Sequence, residues 1–379
     1  MARVVLAMSG GVDSSAAAVL LRRQGHEVIG LFMRTGVEYP TEGSARPDHK
    51  KGCCSVRDAW DARRVADRLG IPFYALDFRH EFDRIIDYFA DEYVRGRTPN
   101  PCVVCNTWLK FGQLWSFARQ LEADYIATGH YARVVAGPQG AELHRGLDES
   151  KDQSYVLWGI RREVLEHVLF PVGESRKSEI RALAREAGLD HVADKPDSVE
   201  ICFVPGGRPT EVVRARRPDA LRRGLIVDRH GRVLGEHDGI DRFTIGQRKG
   251  LGIATGRRQF VLQLLPETHT VVVGDYDDLL ASGLRAEGVN WLVHPPSGEI
   301  TVWVKIRYRH AGVAAVVRPL SQGQVEVRFV QPQPAVTPGQ AVAFYDGSRL
   351  LGGGWICQAI RNPDDNQPTV SLPQTCCQS

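Results

Sequence analysis

The 379-residue sequence has no apolar stretch long enough for a helix to cross a bilayer. It also lacks a leader pattern, because the opening residues MARVVLAMSGG run from an apolar strand directly into a glycine loop. No internal repeat and no long low-complexity segment is present. Together with 43% hydrophobic and 25% charged residues, these absences predict a soluble, cytoplasmic protein that has no membrane partner.

The eight cysteines do not indicate a disulfide scaffold, because no export signal precedes them. In a reducing compartment, clustered cysteines more often bind a metal or react as thiols, whereas an isolated one such as Cys357 is more often a small buried apolar group. Cys102 and Cys105 form a CxxC pair, and Cys202 follows in the segment DSVEICF. Three such cysteines suit the handling of sulfur.

The first half of the chain alternates between strand and helix patterns. Apolar runs predict strands at Arg3 to Met8, Glu27 to Phe32, Phe73 to Leu76 and Tyr125 to Thr128. Helices are predicted from Asp13 to Gln24, from Ser55 to Leu69 with a capping box of Ser55 and Asp58, from Glu81 to Val94, and from about Thr107 to Leu121. The alternation predicts an α/β fold with a parallel sheet covered by helices.

The pattern changes after about Pro205. Arginine, proline and glycine dominate to about Gly256, with a strand candidate at Leu225 to Asp228 and a loop from Thr244 to Gly252. Short β-rich segments then predict a small barrel or sandwich, at Thr301 to Arg307, Ala314 to Val317, Val325 to Val330 and Ala341 to Tyr345. We therefore predict domains at 1–207, 208–272 and 273–360, followed by a mobile tail at 361–379.

The first predicted strand leads into a loop of glycines and serines, SGGVDSS, from Ser9 to Ser15. Glycine N–H groups and the positive end of the following helix favour a phosphate there, and the serine hydroxyls add donors. The GxxxxGK[ST] pattern is missing, which argues against simple γ-phosphate transfer. The loop resembles the pyrophosphate (PP) loop of the ATP-pyrophosphatase group, which implies that 1–207 binds an adenine nucleotide, ATP with Mg²⁺.

The CxxC pair lies in the segment TPNPCVVCN, whose two prolines predict extended backbone before Cys102. Cys105 is predicted to precede a helix, where the positive helix end favours a thiolate. Cys202 is predicted to lie at the end of a strand.

Ten segments in order resemble the bacterial tRNA-specific 2-thiouridylases, and they extend from the first residues to about Trp355. They are SGGVDSS, GLFM, GRTPNPCVVCN, ADYIATGHYAR, GLDESKDQSYVLW, FPVGE, DSVEICFV, TIGQRKGLG, KIRYRH and TPGQAVAFYDG. The resemblance implies that ATP adenylates the wobble uridine (U34) of tRNA and that a protein persulfide replaces its C2 oxygen, giving 2-thiouridine, AMP and pyrophosphate. It implies lysine, glutamate and glutamine tRNAs as partners, and a cysteine desulfurase or sulfur-relay protein as the sulfur donor.

The resemblance also assigns residues. Cys202 would carry the persulfide, and Cys105 would be the nucleophile that releases the product by forming a disulfide with Cys202. ATP would contact Met8, Ser9, Gly10, Gly11, Val12, Asp13, Ser14, Ser15, Met33 and Gly129. The target base would lie at Asn100, Pro101 and Cys102, and tRNA would contact His130, Lys151, Asp152, Gln153, Arg307, Tyr308 and Gln340.

Cys102 departs from this family, many of whose members carry aspartate at the position. Cys102, Cys105 and Cys202 together resemble the three-cysteine sites that hold a [4Fe–4S] cluster in related tRNA thiolases, so an iron route stays open beside the persulfide route. A zinc half-site completed by Cys53 and Cys54 is a further alternative. Two other functions also stay open: a different PP-loop adenylating synthetase, which needs no thiol pair, and a tRNA-binding module without catalysis.

Basic residues cluster in two places, although the formal net charge is only +3. Eight arginines and three acids lie between Arg208 and Arg232. The second cluster consists of Lys305, Arg307, Arg309 and His310. Either cluster could hold a phosphate backbone or form an ordinary solvated surface, and the first is the reason for predicting a tRNA-binding central domain.

Overall fold

A five-stranded parallel sheet forms the centre of the N-terminal part of the computed structural model, which describes residues 1–37, 56–197 and 201–361. The strands up to residue 169 are β1 (Arg3–Ala7), β2 (Glu27–Arg34), β3 (Phe73–Asp77), β4 (Tyr125–Ala127), β5 (Ala132–Gly137), β6 (Gly140–Arg145) and β7 (Val168–Leu169). Five of them form the sheet in the order β3-β2-β1-β4-β7, and β5 and β6 form an antiparallel hairpin outside it. The predicted parallel sheet is confirmed.

The helices follow the strands closely in sequence. They are α1 (Val12–Arg23), α2 (Val56–Leu69), α3 (Arg79–Val94), α4 (Pro101–Val104), a π-helix (Cys105–Leu114), α5 (Trp115–Gln120), α6 (Arg162–Leu165), α7 (Lys177–Glu186) and α8 (Asp190–Ala193). The helix predicted from about Thr107 begins at Pro101 instead, because proline is tolerated in the first helical turn. Ser55 of the predicted capping box lies outside the described residues.

The two faces of the sheet belong to two separate cores. Val4 and Leu6 of β1 pack in one core with apolar residues of α1 and α2. Val5 and Ala7 pack in the other with apolar residues of α3 and of the helix that follows Pro101. Because alternate strand residues point to opposite faces, β1 is covered on both sides and is almost fully apolar.

Strand order reverses beside β1. β2 and β3 lie on one side of β1, and β4 and β7 lie on the other side, so the connections after β1 and after β3 run to opposite sides of β1. In open parallel sheets, ligands bind outside the carboxyl ends of the strands at such a reversal. The loop after β1 and the loop after β4 meet at this edge.

The central region forms a small sheet of its own. It contains α9 (Pro209–Arg216) and four strands in the order β10-β11-β8-β9, which are β8 (Gly224–Asp228), β9 (Val233–His237), β10 (Phe260–Leu265) and β11 (Thr270–Gly274). The stretch from Thr244 to Gly252 contains neither helix nor strand, as predicted.

Part of the arginine cluster is paired with acidic residues. Arg216 contacts Asp83 at 2.5 Å, and Arg217 contacts Asp91 at 2.7 Å; both acids belong to α3. Arg214 contacts the buried Asp241 at 3.1 Å. The first two ion pairs attach the end of α9 to α3, and all three leave fewer of the predicted basic residues for a phosphate backbone.

The C-terminal region is a closed six-stranded barrel, which confirms the predicted barrel-like domain. Its strands are β12 (Leu280–Trp291), β13 (Ile300–Lys305), β14 (Val313–Pro319), β15 (Val325–Pro334), β16 (Ala341–Asp346) and β17 (Arg349–Ile360). The barrel closes because β12 pairs with both β15 and β17. Its core includes Val304, Val327 and Phe344, which are fully buried.

The barrel is joined to the N-terminal domain by strand pairing and by aromatic rings. β17 pairs with β6 at Arg349 and Leu350, so the β5–β6 hairpin extends the barrel sheet. The ring of Trp355 on β17 lies 5.4 Å from Trp158 and 6.3 Å from Tyr88 of α3, between ring centroids. The two regions are therefore packed together.

No helix among residues 1–37, 56–197 and 201–361 combines the length and apolarity required to span a membrane. The predicted tail lies outside the described residues except for Arg361, and the predicted domain limits stay predictions.

We expect Gly353→Ala to destabilise the protein. A Cβ at this position would lie 2.5 Å from the Val342 carbonyl oxygen and 2.6 Å from Trp158 Cγ, so the strand or the indole must move. Overpacking of this kind costs about 1–3 kcal/mol, which should lower the melting temperature by at least ~2 °C. Gly298→Ala is the control, since a Cβ there meets nothing within 4 Å. Equal melting temperatures for the two variants would contradict the packing argument.

Candidate active site at the carboxyl edge of the parallel sheet

The loop between β1 and α1 presents an uncapped helix end. Gly11 is the N-cap residue of α1, its backbone is extended, and no side chain among the described residues caps the helix. Hydroxyls brace the loop from within: Ser15 Oγ donates to the Gly11 carbonyl at 2.8 Å, and Ser9 N–H donates to Ser14 Oγ at 3.2 Å. The first-turn N–H groups of α1 therefore form a fixed anion site.

Two glycines allow the backbone to approach this loop closely. Gly10 has φ +73°, and a Cβ there would collide with the Asp58 carbonyl oxygen at the start of α2. Gly129 follows β4, and a Cβ there would lie 2.7 Å from the backbone nitrogen of Ser14. Any larger residue at 129 would displace the helix end.

The predicted nucleotide residues lie at one edge of the sheet. Met8 follows β1 and is buried, with its sulfur against Gly30. Met33 lies near the carboxyl end of β2 and is partly buried. The structure thus brings these two methionines, the loop and Gly129 together, while their contact with ATP stays a prediction.

Two lysines that sequence reasoning missed lie against the loop. Lys177 Nζ contacts Asp13 Oδ1 and Oδ2 at 2.7 and 2.8 Å. Lys195 Nζ donates to the Gly10 carbonyl at 2.8 Å and contacts Asp61 at 2.5 Å. Lys177 begins α7 soon after β7, a parallel strand of the same sheet, so the rule that carboxyl ends share an edge could have found it.

Asp197 is the centre of an ionic network beside the loop. Its carboxylate contacts Lys151 at 2.8 Å, Lys177 at 2.9 Å and Arg181 at 2.9 Å. Burial alone would raise the pKa of Asp197, but hydrogen bonds from Lys151 and Lys177 outweigh it and lower the pKa to about 2. The carboxylate is therefore ionised at neutral pH, and the network links the loop to the segment that precedes Cys202.

The CxxC pair lies within a helix, not before one. Asn100 caps α4 by accepting the Val103 N–H at 3.3 Å, and Pro101 occupies the first turn. Cys102 is exposed in that turn, and Cys105 lies one turn later at the start of the π-helix. The prediction that Cys105 precedes the helix is wrong, because the helix starts at the proline, and its positive end is nearest to Cys102.

Cys202 lies in a tight turn, in which the Val204 N–H donates to the Ile201 carbonyl at 3.0 Å. Residues 198–200, where the predicted strand would end, lie outside the described residues, so that strand end stays a prediction. The adjacent Phe203 fixes this turn on α3, with its ring edge-on to Phe89 at 5.1 Å between centroids. Cys105 and Cys202 are both partly buried against the same core.

The barrel holds the segment before the CxxC pair. Gln340 Nε2 donates to the carbonyls of Thr98 and Pro99, each at 3.1 Å. The Thr98 N–H in turn donates to the Pro338 carbonyl at 2.9 Å. A barrel loop therefore positions the backbone that leads to Asn100, and we expect Gln340 to act on tRNA through this segment as well as by contact.

Aromatic residues connect the barrel to the predicted target-base residues. The Tyr155 hydroxyl lies beside Asn100 and donates to the Ala341 carbonyl of the barrel at 2.8 Å, and the Tyr155 ring lies 6.3 Å from that of Tyr308. Burial, together with the charges of Asp152 and Cys102, raises the pKa of Tyr308. Tyr308 is still 43% exposed as a residue, so it is accessible to a base.

Arg307 belongs to the same surface, where its guanidinium donates to the Pro334 carbonyl at 3.3 Å. Of its neighbours in the second basic cluster, Arg309 is exposed, whereas Lys305 and His310 are buried. Only part of this cluster is therefore open to a phosphate.

Several predicted tRNA contacts also have internal partners. Asp152 is buried and accepts the N–H groups of Gly146 and Ser154 at 3.2 and 3.1 Å. Gln153 Oε1 accepts the Tyr131 N–H at 3.0 Å. His130 is 8% exposed, and burial lowers its pKa well below 6.5, so the ring is neutral at neutral pH. Direct tRNA contact by these side chains stays a prediction.

The described residues do not gather a metal-binding set. Within residues 1–37, 56–197 and 201–361, no three or more His, Cys, Asp and Glu side chains are placed to hold a metal ion. Cys102, Cys105 and Cys202 all belong to these residues, but each thiolate of a [4Fe–4S] cluster binds a different iron, so a cluster on these three cysteines stays a prediction. Cys53 and Cys54, the alternative zinc ligands, lie outside the described residues.

Family models match the three regions in order. A model described as a tRNA methyl transferase HUP domain matches residues 2–206, a tRNA methyl transferase PRC-barrel domain matches 211–275, and an aminomethyltransferase beta-barrel domain matches 281–356. One solved structure shows a weaker likeness. NMN synthetase from Francisella tularensis has 15% identity and a TM-score of 0.32, covering 52% of this chain and 66% of that one, which carries no weight for function.

Curated relatives match nearly the whole chain and are named for thiolation, not for methyl transfer. The tRNA-specific 2-thiouridylase MnmA of Rhodopirellula baltica is 48% identical over 97% of this chain and 99% of its own length. Those of Geotalea uraniireducens and Rhodospirillum centenum are 49% and 48% identical, over 94% and 95% of this chain and 96% and 93% of their own lengths. The chain therefore belongs to the family of the tRNA-specific 2-thiouridylases.

Proposed function

We propose that this protein is a tRNA uridine 2-sulfurtransferase that replaces the C2 oxygen of the wobble uridine U34 by sulfur. The observation that carries the proposal is that one domain holds both an uncapped anion-binding loop and two partly buried cysteines on a shared core. The near full-length likeness to 2-thiouridylases supports it. We propose that it acts in the cytoplasm, where tRNA and ATP are available.

MgATP is the first substrate in this proposal. Its phosphates lie at the N-terminus of α1, and its adenosine lies along the carboxyl ends of β2 and β4 near Met33 and Gly129. The uridine C2 oxygen attacks the α-phosphorus, and pyrophosphate leaves. This step converts an oxygen that is a poor leaving group into an adenylate that leaves as AMP.

Sulfur then enters from Cys202. The terminal sulfur of a Cys202 persulfide attacks C2, AMP leaves, and the base is joined to Cys202 through a disulfide. The thiolate of Cys105 attacks Cys202 Sγ, which releases 2-thiouridine and leaves a Cys105–Cys202 disulfide. A dithiol reductant must reduce this disulfide, and a cysteine desulfurase or sulfur-relay protein must reload Cys202, before the next cycle.

The tRNA is proposed to span the barrel and the N-terminal domain. Tyr308 lies near Cys102, and we propose that it contacts the base at the segment from Asn100 to Cys102, while Arg307 and the exposed Arg309 bind the tRNA backbone beside it. Lys151 and the central arginines that are not paired extend this surface. Lysine, glutamate and glutamine tRNAs are the proposed substrates, as the family resemblance implies.

Cys202→Ser and Cys105→Ser should have different defects. With MgATP, a persulfide donor and unmodified lysine tRNA, Cys202→Ser should form no 2-thiouridine, because no sulfur is loaded. Cys105→Ser should instead accumulate a tRNA–protein adduct, because the base stays bonded through sulfur to Cys202. Nucleoside mass spectrometry measures the product, and a gel without reductant detects the adduct.

Cys357→Ser is the matched control, since this thiol is half-buried in β17 and contacts the Arg285 carbonyl. It should keep wild-type activity. Formation of 2-thiouridine by Cys202→Ser would contradict the role proposed for Cys202. A wild-type protein that turns over ATP without thiolating the tRNA would favour a different adenylating synthetase.

Cys102→Ser distinguishes the persulfide route from an iron route. We expect this variant to retain most thiolation activity, because no step above uses the Cys102 thiol. We also expect anaerobically purified wild-type protein to contain neither iron nor acid-labile sulfide and to show no broad band near ~400 nm. Stoichiometric iron and sulfide that disappear with the activity in Cys102→Ser would overturn the persulfide route.

A further inference from the structure

The phosphate loop contains no cation of its own. Its seven residues are serines, glycines, a valine and an aspartate. The carboxylate of Asp13, in the first turn of α1, points toward the helix end because helical side chains tilt toward the N-terminus. An uncompensated carboxylate there would repel phosphate, so this charge must be balanced.

Lys177 supplies that balance from another part of the chain. Its ammonium has three N–H donors, and the structure gives it three carboxylate contacts, two to Asp13 and one to Asp197. Its side chain is 12% exposed, and the nitrogen lies 5.6 Å from the ring centroid of Tyr131, whose hydroxyl donates to Asp13 at 2.9 Å. The cation is therefore held in place beside the anion site.

Lys195 has a different geometry. Its nitrogen contacts the Gly10 carbonyl oxygen and the carboxylates of Asp58 and Asp61, which belong to α2. Lys195 therefore attaches the loop to α2. The loop presents a carbonyl group to Lys195, whereas an anion would bind to the N–H groups of the loop. Of the two lysines, Lys177 is the one placed at the uncapped end of α1.

We propose that Lys177 is a pyrophosphate-binding residue: when ATP binds, one of its two contacts with Asp13 is replaced by an oxygen of the β- or γ-phosphate. A one-point contact with Asp13 suffices to keep the ammonium in position, and Asp197 holds it from the other side. The inference rests on the proposed function for the identity of the nucleotide. Lys177 would therefore contact the pyrophosphate part of ATP. Pyrophosphate is the leaving group, and AMP does not contain it.

The test compares ATP, pyrophosphate and AMP by isothermal titration calorimetry, without tRNA. Lys177→Met should weaken ATP and pyrophosphate binding by about 10- to 100-fold, because a charge-assisted hydrogen bond is lost. AMP binding should stay close to that of the wild type. Lys177→Arg keeps the positive charge and should lose less affinity for ATP than Lys177→Met. If Lys177→Met does not fold, Lys177→Gln tests the loss of the positive charge in its place.

Arg185→Met is the control, because Arg185 lies on the same helix, half-exposed, and pairs with Asp194 away from the loop. It should bind all three ligands as the wild type does. Unchanged ATP affinity in Lys177→Met, or an equal loss for AMP and ATP, would overturn the inference. If the wild type itself binds no ATP, the proposed function fails, whereas an ATP-binding enzyme that is indifferent to residue 177 refutes only this inference.

Discussion

The reversal of strand order beside β1 is the constraint on which the rest of the site depends. It leaves a gap between the loops that follow β1 and β4, and the N-terminus of α1 opens into that gap. Gly129 keeps the gap narrow enough for backbone to meet backbone. The loop, its two lysines and Asp197 are all arranged around an edge that the parallel topology creates.

Local patterns predicted the parts of this arrangement that depend on neighbouring residues. β1 and α1 were found because an apolar run and a helical pattern each extend over several consecutive positions. The loop was found because glycines and serines occur together in Ser9 to Ser15. The start of the cysteine helix was missed because proline usually interrupts a helix, whereas Pro101 occupies the first turn of one, where proline is tolerated.

Contacts between distant residues were beyond such patterns. Lys177 and Asp13 are 164 positions apart, and Arg216 and Asp83 are 133 apart, so neither ion pair leaves a periodic signal. In the sequence the arginine cluster is strongly basic because the acidic partners of Arg216 and Arg217 lie on α3 and that of Arg214 is Asp241, all outside the cluster. The β5–β6 hairpin was missed for a related reason, since it joins the barrel through β17.

The hydrogen bonds from Gln340 to Thr98 and Pro99 have a consequence for how such proteins can change. A barrel that only held tRNA could be exchanged for another RNA-binding module with little effect on the thiols of the cysteine helix. Here the same barrel loop supports the backbone that leads into them. The C-terminal region is thus a structural support of the proposed reaction centre, and we expect its loops and the cysteine helix to evolve together and not to be exchanged independently.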